Sequence, residues 1–167
     1  GQMAALTDTQ VPVLTTAQIV ALTTAQAAAL TTNEVSKLTT AQVAAIETED
    51  LVKMTTAQIA ALTTDQVPAL TVGQVENLTT AQIAAIETAD LVKMTTAQIA
   101  GLSSVQISAL TTDQLIKLTT DQVQAMSPGQ IAALKTAQIA ALLVGLRVKG
   151  ETAEEVAAAA QVMRDLV

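Results

Sequence analysis

The sequence predicts an all-α solenoid or superhelix of short octapeptide helices, closed at its C-terminal end by a helical hairpin cap. Large apolar residues recur at every eighth position from Leu6 to Leu134 without one insertion, and in almost every unit a second apolar residue follows five places later. The consensus unit, Leu-Thr-Thr-Ala-Gln-Ile-Ala-Ala, also carries a helix start signal. We therefore expect about sixteen such units, called octads below, over residues 1–134 and a helical cap over 135–167.

The eight-residue period argues against one continuous helix. Eight residues turn an α-helix by about 800°, so the apolar column would wind around the helix instead of forming a stripe. A steady seam would need about four residues per turn, beyond the roughly 3.67 of right-handed supercoils. A strand fits no better, because an offset of five places puts the two apolar residues of a unit on opposite faces. A helix that ends and restarts in every octad fits the pattern.

Most octads open with a capping-box pattern, in which Thr or Ser is followed three residues later by Gln or Glu. The hydroxyl of Thr15, for example, can accept from the third helical amide, while the side chain of Gln18 reaches back to the amide of Thr15. Pro128, directly after Ser127, falls at the first helical position, where its missing N–H costs nothing. The pattern therefore predicts one short helix per octad.

Such a helix is stable only in a stack. Ordering eight residues costs roughly 8–16 kcal/mol of backbone entropy, whereas two large apolar side chains return about 3–6 kcal/mol when fully buried. The chain has no Phe, Tyr or Trp, so the stack has to be built from aliphatic residues, Met and Ala. Met54, Met94 and Met126 replace Leu or Ile in the apolar column and are interpreted as gap fillers. Pro12 and Pro68 would disrupt a long helix, but a helix of about one and a half turns tolerates them better.

A longer period overlies the octads. Residues 39–62 recur almost unchanged at 79–102, a shift of five octads. Duplication of a forty-residue block explains this recurrence. A sharper hypothesis is that five octads complete one superhelical turn, which would align residues such as Lys53 and Lys93 on one solvated ridge. Any other number of octads per turn would contradict the sharper hypothesis.

The pattern changes after Leu134. Lys135 replaces the first Thr, and Leu142 still lies on the apolar column, but no Thr-Thr restart follows. We therefore predict a longer helix that runs to about Val148, with Gly145 as a mild cost that a long helix can absorb.

A second helix is expected to complete the hairpin. Gly150 suits a helix C-terminus, and residues 152–155 (TAEE) form another capping-box pattern. The segment 156–166 that follows is long enough for a helix of three turns. We interpret residues 135–167 as a cap on the last exposed core face of the array.

This C-terminal segment resembles a known enzyme region. The run QIAALLVGLRVKGET over 138–152, with Glu154-Glu155-Val156 and Met163-Arg164, is similar to the N-terminal helical region of anthranilate phosphoribosyltransferases. In that family the region contributes to dimer contacts. The family's glycine-rich phosphoribosyl-diphosphate loop and its catalytic α/β domain have no counterpart in these residues. The resemblance therefore implies a shared helical hairpin and does not imply the enzyme activity.

The octads resemble the TTAQIAAL-type tracts of large repetitive bacterial proteins, some of them surface-associated. The opening of each unit, Leu-Thr-x-x-Gln-Val, also resembles the start of TAL-effector repeats. The period of eight and the acidic charge argue against that second resemblance.

The composition argues against several function classes. The formal net charge is −7, and an acidic array without aromatics would repel phosphates and offer no stacking surface to nucleic acid. No stretch approaches about 18 uninterrupted apolar residues, so no membrane span is predicted. The absence of His and Cys removes the commonest general base and metal ligands. We therefore predict no catalytic residues, no cofactor and no metal.

Two ligand hypotheses remain open beside plainer explanations. Glu47, Glu49 and Asp50, partly repeated at Glu87 and Asp90, could offer oxygens to calcium, although acids in a first helical turn also complement the helix dipole. The paired Thr columns could organise water as an ice-binding surface, although one Thr of each pair also serves as a helix cap. The function that we predict is a non-catalytic structural scaffold or spacer. The main alternative is a solenoid that binds a protein partner in its groove.

Overall fold

The computed structural model describes residue 7 and residues 9–148, and all regular secondary structure in this part of the chain is helical. Two short 3₁₀ helices, η1 and η2, interrupt a series of α-helices, α1 to α15. The 3₁₀ helices span Val11–Val13 and Val67–Ala69. The α-helices span Thr16–Val20, Thr24–Ala28, Thr32–Lys37, Thr40–Ala45, Thr48–Lys53, Thr56–Ala60, Val72–Asn77, Thr80–Ala85, Thr88–Leu91, Thr96–Gly101, Ser104–Ala109, Thr112–Lys117, Thr120–Gln124, Pro128–Ala132 and Thr136–Val148. This all-α array of short tandem helices confirms the predicted fold class.

Reciprocal hydrogen bonds define the start of nearly every helix. At α4 the hydroxyl oxygen of Thr39 accepts from the backbone N–H of Gln42 at 3.2 Å, and Oε1 of Gln42 accepts from the N–H of Thr39 at 2.6 Å. The same pair of bonds is present at every helix from α1 to α14 except α5 and α9. Those two helices begin after Glu47 and Glu87, whose side chains make no capping bond. The Thr-x-x-Gln pattern thus satisfies amides that a helix end leaves unpaired.

Counted from its cap residue, an octad such as 31–38 has Gln or Glu fourth and ends in an apolar residue, which turns the chain into the next octad. Leu38 has an extended backbone conformation (φ −57°, ψ 140°), and its N–H donates to the carbonyl of Val35 at 3.2 Å. The next cap, Thr39, is also extended (φ −72°, ψ 159°). Two consecutive extended residues end one helix and place the following helix at an angle to it.

Proline changes the helix type in two octads. Pro12 and Pro68 lie in η1 and η2, where 3₁₀ helices replace α-helices. Proline has no N–H for the bond to the residue four before it, so the α-helical turn is incomplete. The change of helix type at Pro68 does not disturb the stack. Val67 and Leu70 are as buried as their counterparts in the other octads.

Helices that are three octads apart pack against each other. The pairs α1 with α4, α2 with α5, α7 with α10, α8 with α11, and α12 with α15 all have this spacing, as do the other major helix contacts. The chain therefore comes back into contact with itself after three octads. The hypothesis of a turn of five octads is wrong, and the charged recurrence at five octads does not reflect stacking.

The core consists of two columns of apolar side chains. One column is the fifth residue of each octad and the other is the eighth, as with Ile83 (0% exposed) and Ile86 (2% exposed). Met54, Met94 and Met126 are buried within the eighth-residue column, and Ala27 is buried in the fifth. The core is thus a continuous line of aliphatic contacts along the array.

The array ends, within the described residues, in the long helix α15. This helix runs to Val148, as predicted, and it packs on α12. Gly145 has a larger role than the mild cost that was expected, because a Cβ at this residue would lie 2.7 Å from the carbonyl oxygen and 2.9 Å from the Cα of Ile116. Glycine therefore permits the close approach of α15 to α12. The predicted second helix and its capping box at 152–155 lie outside the described residues.

Candidate functional site: the glutamine seam

The most distinctive site is a line of buried glutamines. The fourth residue of an octad is Gln in most units, and from Gln42 onward these side chains are buried, with exposed fractions between 1% and 6%. Burial of a primary amide is costly unless its donors and its acceptor are all used. Each glutamine thus needs partners inside the stack.

Each buried glutamine bonds to the octad that lies four units earlier in the chain. Nε2 of Gln106 donates to the carbonyl oxygens of Val75 at 3.0 Å and of Leu78 at 2.7 Å, which are 31 and 28 residues away. The same pair of bonds, to the fifth and eighth residues of the earlier octad, is made by Gln42, Gln58, Gln66, Gln74, Gln82, Gln98, Gln114, Gln122 and Gln130. Gln138 keeps the bond to Leu110 at 2.6 Å. We call this line of bonds the glutamine seam.

The seam uses both ends of one amide. Oε1 accepts from the cap N–H of its own octad, and Nε2 donates to the earlier octad. A single side chain therefore pairs with the cap N–H of its own helix and joins that helix to the octad four units earlier. Together with the packing of helices three octads apart, this places one turn of the chain between three and four octads.

The capping role of glutamine was predicted from its spacing to Thr, whereas its donating role was not predicted. A signal was present, because a capping box accepts Glu as readily as Gln. Glu34 shows this directly, since its Oε2 accepts from the N–H of Thr31 at 2.6 Å. Only Gln also has an N–H₂ group to donate. The preference for Gln over Glu at the fourth position therefore indicated a second partner.

Two aspartates interrupt the seam. Asp50 and Asp90 occupy the fourth position of their octads and are 4% and 5% exposed. Neither has an amide to donate, and Oδ2 of Asp50 is buried without a hydrogen-bond partner. In the register of the other octads, a glutamine at position 50 would donate to the carbonyls of Ile19 and Leu22. Asp50 cannot make these two bonds.

The electrostatics of these aspartates follow from burial. Desolvation raises the pKa of Asp50, and the charges of Glu47 and Glu49 raise it further. Desolvation, followed by the charge of Glu87, raises the pKa of Asp90. Folding therefore shifts the equilibrium of both carboxyl groups toward the protonated form, which can donate an O–H.

The structure does not gather the acidic residues of the calcium hypothesis into a metal centre. Glu47 and Glu49 are exposed, whereas Asp50 is buried in the seam. Within residue 7 and residues 9–148, no group of three or more carboxylate, His or Cys side chains is arranged to hold a metal ion. The burial of Asp50 was also not predicted, because its position in the first helical turn suggested a solvated acid.

The paired threonines are not equivalent. The hydroxyl of the first Thr in a pair, such as Thr79, accepts a backbone N–H and is fixed as a helix cap. The second Thr, such as Thr80, lies in the first helical turn and is exposed. The ice-binding hypothesis would therefore rest on one column of threonines, the second of each pair, rather than on two.

A shallow groove crosses three stacked octads. It has a volume of about 330 Å³ and is lined by Thr24, Thr48, Glu49, Val52, Lys53 and Asn77. These residues come from α2, α5 and α7, which are three octads apart from one to the next. The groove offers one acid, one base and three further polar side chains, beside Val52. Across the part of the chain that the structure describes, no helix has the length and apolar character to cross a membrane.

These features define an all-α octapeptide-repeat protein that is tied together along its length. Residues 43–80 and 83–120 match the family model described as the ALTTAQ repeat. Residues 108–167 match the model described as the helical bundle domain of a glycosyl transferase family. This second match begins within the octads, earlier than the final thirty residues on which the resemblance was based. No curated protein and no solved structure matches the chain.

Proposed function

We propose that this chain is a non-catalytic structural scaffold that sets a fixed spacing within a larger assembly. The glutamine seam is the observation that carries the proposal. Every octad from 39–46 onward, apart from the two with Asp, is bonded to the unit four octads before it. In such an array each unit contacts only near neighbours, so octads can be added without a new kind of contact. The octads wind as a superhelix with between three and four octads per turn.

Chemistry and sequence support a non-catalytic role. The chain lacks His, Cys and Tyr, which supply most nucleophiles and general bases. The matched part of the glycosyl transferase family is its helical bundle domain. Among the described residues, the buried polar side chains other than Asp50 and Asp90 are Glu34 and the glutamines of the seam, and these bond to the backbone.

The spacer role is tested by changing the number of octads. We would insert one exact copy of residues 95–126, which are four octads, after Met126 and measure the maximum dimension by small-angle X-ray scattering. A matched control inserts 32 residues of a Gly/Ser linker at the same place. A spacer predicts that the added block of four octads lengthens the particle and leaves its cross-section unchanged. An unchanged length or a wider cross-section would contradict the proposal.

A protein-binding role is the second candidate, and the groove over α2, α5 and α7 favours it. Its Glu49 and Lys53 could pair with opposite charges on an extended peptide, and its threonines could bind the peptide backbone. The test is a charge reversal, Glu49→Lys with Lys53→Glu, in a screen against a random peptide library. Peptides selected by the native groove should lose affinity for the reversed groove. Equal binding to both would exclude this groove as the site.

A further inference from the structure

Two octads, 47–54 and 87–94, are tied to the array by the seam on one side only, and we call them the acid octads. Their carbonyls accept the usual bonds from the octad four units later. Nε2 of Gln122 donates to the carbonyl of Leu91 at 3.1 Å, and Gln82 bonds to octad 47–54 in the same way. The fourth residue of each acid octad is Asp, which has no N–H to donate to the octad four units earlier. The seam therefore joins each acid octad to later residues and not to earlier ones.

The start of each acid octad lacks a second set of bonds. Glu47 and Glu87 stand where most octads have Thr or Ser, and their side chains make no capping bond. The helix of the second acid octad, α9 (Thr88–Leu91), is the shortest α-helix in the described part of the chain. The apolar columns continue through both octads, because Leu51 and Leu91 are 0% exposed. Toward earlier residues, each acid octad is therefore held by core packing without the cap and seam bonds of the other octads.

The protonation state of the aspartates decides whether a bond can replace the missing amide. Asp50 and Asp90 are 4% and 5% exposed, and Oδ2 of Asp50 has no hydrogen-bond partner. In the register of the seam, a glutamine at position 90 would donate to the carbonyls of Ile59 and Leu62, as one at position 50 would donate two octad units of the same kind. A carboxylate and a carbonyl are both acceptors, so an ionised aspartate cannot bond there and is costly to bury. A protonated carboxyl can donate one O–H to a carbonyl.

The charges around Asp50 mostly favour the proton. Glu47 and Glu49 lie in its own octad, and α7, which packs on α5, carries Glu76. Helix α2 and the octads four units earlier and four units later have no charged side chain. Desolvation, followed by the charges of Glu47 and Glu49, raises the pKa of Asp50. Lys53, at the end of the same helix, is the base that acts in the opposite direction.

The surroundings of Asp90 are similar. Desolvation, followed by the charge of Glu87, raises the pKa of Asp90. Acids outnumber bases among the charged residues of its own octad and of the octads three and four units away, which are Asp65, Glu87, Lys93, Asp113, Lys117 and Asp121. The octad four units earlier, to which a glutamine would bond, has no charge.

We propose that each acid octad is a joint of the array that closes on proton uptake and opens on proton loss. In the closed joint, the O–H of Asp50 or Asp90 donates to a backbone carbonyl of the octad four units earlier, in place of the glutamine amide. The proton comes from water and returns to it. In the open joint, the carboxylate is hydrated, and the acid octad separates from the earlier octad while it stays bonded to the later one. Local opening of this kind needs less free energy than global unfolding.

This inference goes beyond the scaffold role, because a spacer needs no octad that responds to pH. The block of residues 95–126 used to test the spacer contains neither acid octad. The two proposals can therefore fail separately.

The test is backbone hydrogen exchange in the full chain, measured by NMR as protection factors corrected for the intrinsic exchange rate. The amides of Leu51 and Leu91 are compared with those of Val43 and Ile83, because all four are fifth residues that donate to the cap carbonyl of their own octad at 2.9 or 3.0 Å. A helix this short is not stable alone, so separation of an octad exposes its amides.

The titration runs from neutral pH down to the ordinary aspartate pKa of about 3.9. We expect the protection of Leu51 relative to Val43, and of Leu91 relative to Ile83, to rise at least about fivefold, which corresponds to one net hydrogen bond.

Asp50→Gln replaces the proton-dependent bond of the first joint with seam bonds. In this variant the Leu51 amide should be protected throughout the titration, while Leu91 keeps its response, and Asp90→Gln should give the converse. The matched control, Asp65→Asn, removes an exposed carboxylate two octads away and should leave the Leu51 response unchanged. A native Leu51 response no larger than that of its reference amide, a response that survives Asp50→Gln, or one that is lost in the control would each overturn the proposal.

Discussion

The side-chain amide nitrogen of Gln74 lies 2.8 Å from the carbonyl oxygen of Ile46, 28 residues earlier in the chain. The same amide donates to the carbonyl of Val43 at 3.0 Å, while its oxygen accepts from the N–H of Thr71 at 2.7 Å. One side chain therefore begins a helix and joins two turns of the array. The stability of the fold depends on this double use, and the predictions below separate its two parts.

Loss of the donated bonds alone should destabilise the protein. Gln74→Glu keeps an acceptor for the N–H of Thr71 but removes both bonds to the earlier octad and buries a charge. We expect the free energy of unfolding to fall by at least about 2 kcal/mol. The measurement is the urea unfolding midpoint at neutral pH.

Gln18→Glu is the matched control, because Nε2 of Gln18 has no described acceptor and its side chain is exposed. This variant should change the free energy of unfolding by no more than about 0.5 kcal/mol. Equal losses in the two variants would mean that the bonds donated by Gln74 to the earlier octad do not contribute to stability.

Repair of the seam should stabilise the protein. Asp50→Gln supplies the glutamine donor that is missing opposite the carbonyls of Ile19 and Leu22, and it removes a buried carboxylate oxygen without a partner. We expect a gain of about 1–3 kcal/mol in the free energy of unfolding near pH 7. Glu49→Gln removes the same charge from the same helical turn at an exposed residue and should gain much less. If Glu49→Gln stabilised as strongly, the benefit would be general charge relief and not the seam bond.

The raised pKa values of Asp50 and Asp90 predict a pH dependence of stability. The folded state binds these protons more tightly than the unfolded state, so their stabilising contribution is complete below the unfolded pKa of about 3.9. It is lost as the pH rises through the folded values. The native chain should therefore lose stability as the pH rises above the unfolded pKa of about 3.9 and through the raised folded values.

The variant with Asp50→Asn and Asp90→Asn isolates this effect from general repulsion among the other acids. Its unfolding midpoint should fall less steeply over the same pH range than that of the native chain. Parallel pH profiles for the two proteins would show that neither carboxyl is perturbed by folding.

Glycine substitutions should have opposite effects at two positions. Gly145→Ala places a Cβ against the backbone of Ile116 and should cost about 1–3 kcal/mol, because backbone atoms cannot move aside easily. Gly73→Ala, in helix α7, meets no atom within 4 Å and should stabilise by about 0.5–1 kcal/mol. Thermal unfolding of the two variants measures both. A harmless Gly145→Ala would contradict the close packing of α15 on α12.

The short-range features of the fold could be predicted from the sequence, and the long-range register could not. The octad boundaries follow from Thr, Gln and the apolar columns, because capping and burial act within eight residues. In a strict repeat, however, every multiple of eight superimposes the pattern on itself, so periodicity alone cannot distinguish contacts over three, four or five octads. The near-identity of residues 39–62 and 79–102 suggested five. The bond from the Gln106 amide to the carbonyl of Leu78, 28 residues earlier, is determined by three-dimensional packing and not by the repeat pattern.

The burial of Asp50 and the role of Gly145 could not be predicted for the same reason, because both depend on residues far away in the sequence. Asp50 has the spacing of a first-turn acid, and its burial follows only from the octads that stack around it. Gly145 has the pattern of a helix interior, and its importance follows from the backbone of Ile116, 29 positions away.

The distance between spin labels tests the stacking most directly. The chain has no Cys, so labels attach only at introduced cysteines, and Ala17, Ala41, Ala57 and Ala81 are exposed and equivalent in their octads. We would measure the pairs 17–41, 41–57 and 41–81 by pulsed electron paramagnetic resonance. Because α1 packs on α4, the pair 17–41, three octads apart, should be the shortest, shorter than the pair 41–57, two octads apart. Distances that grow steadily with sequence separation, or that are shortest for the pair 41–81, would contradict a chain that returns to itself after three octads.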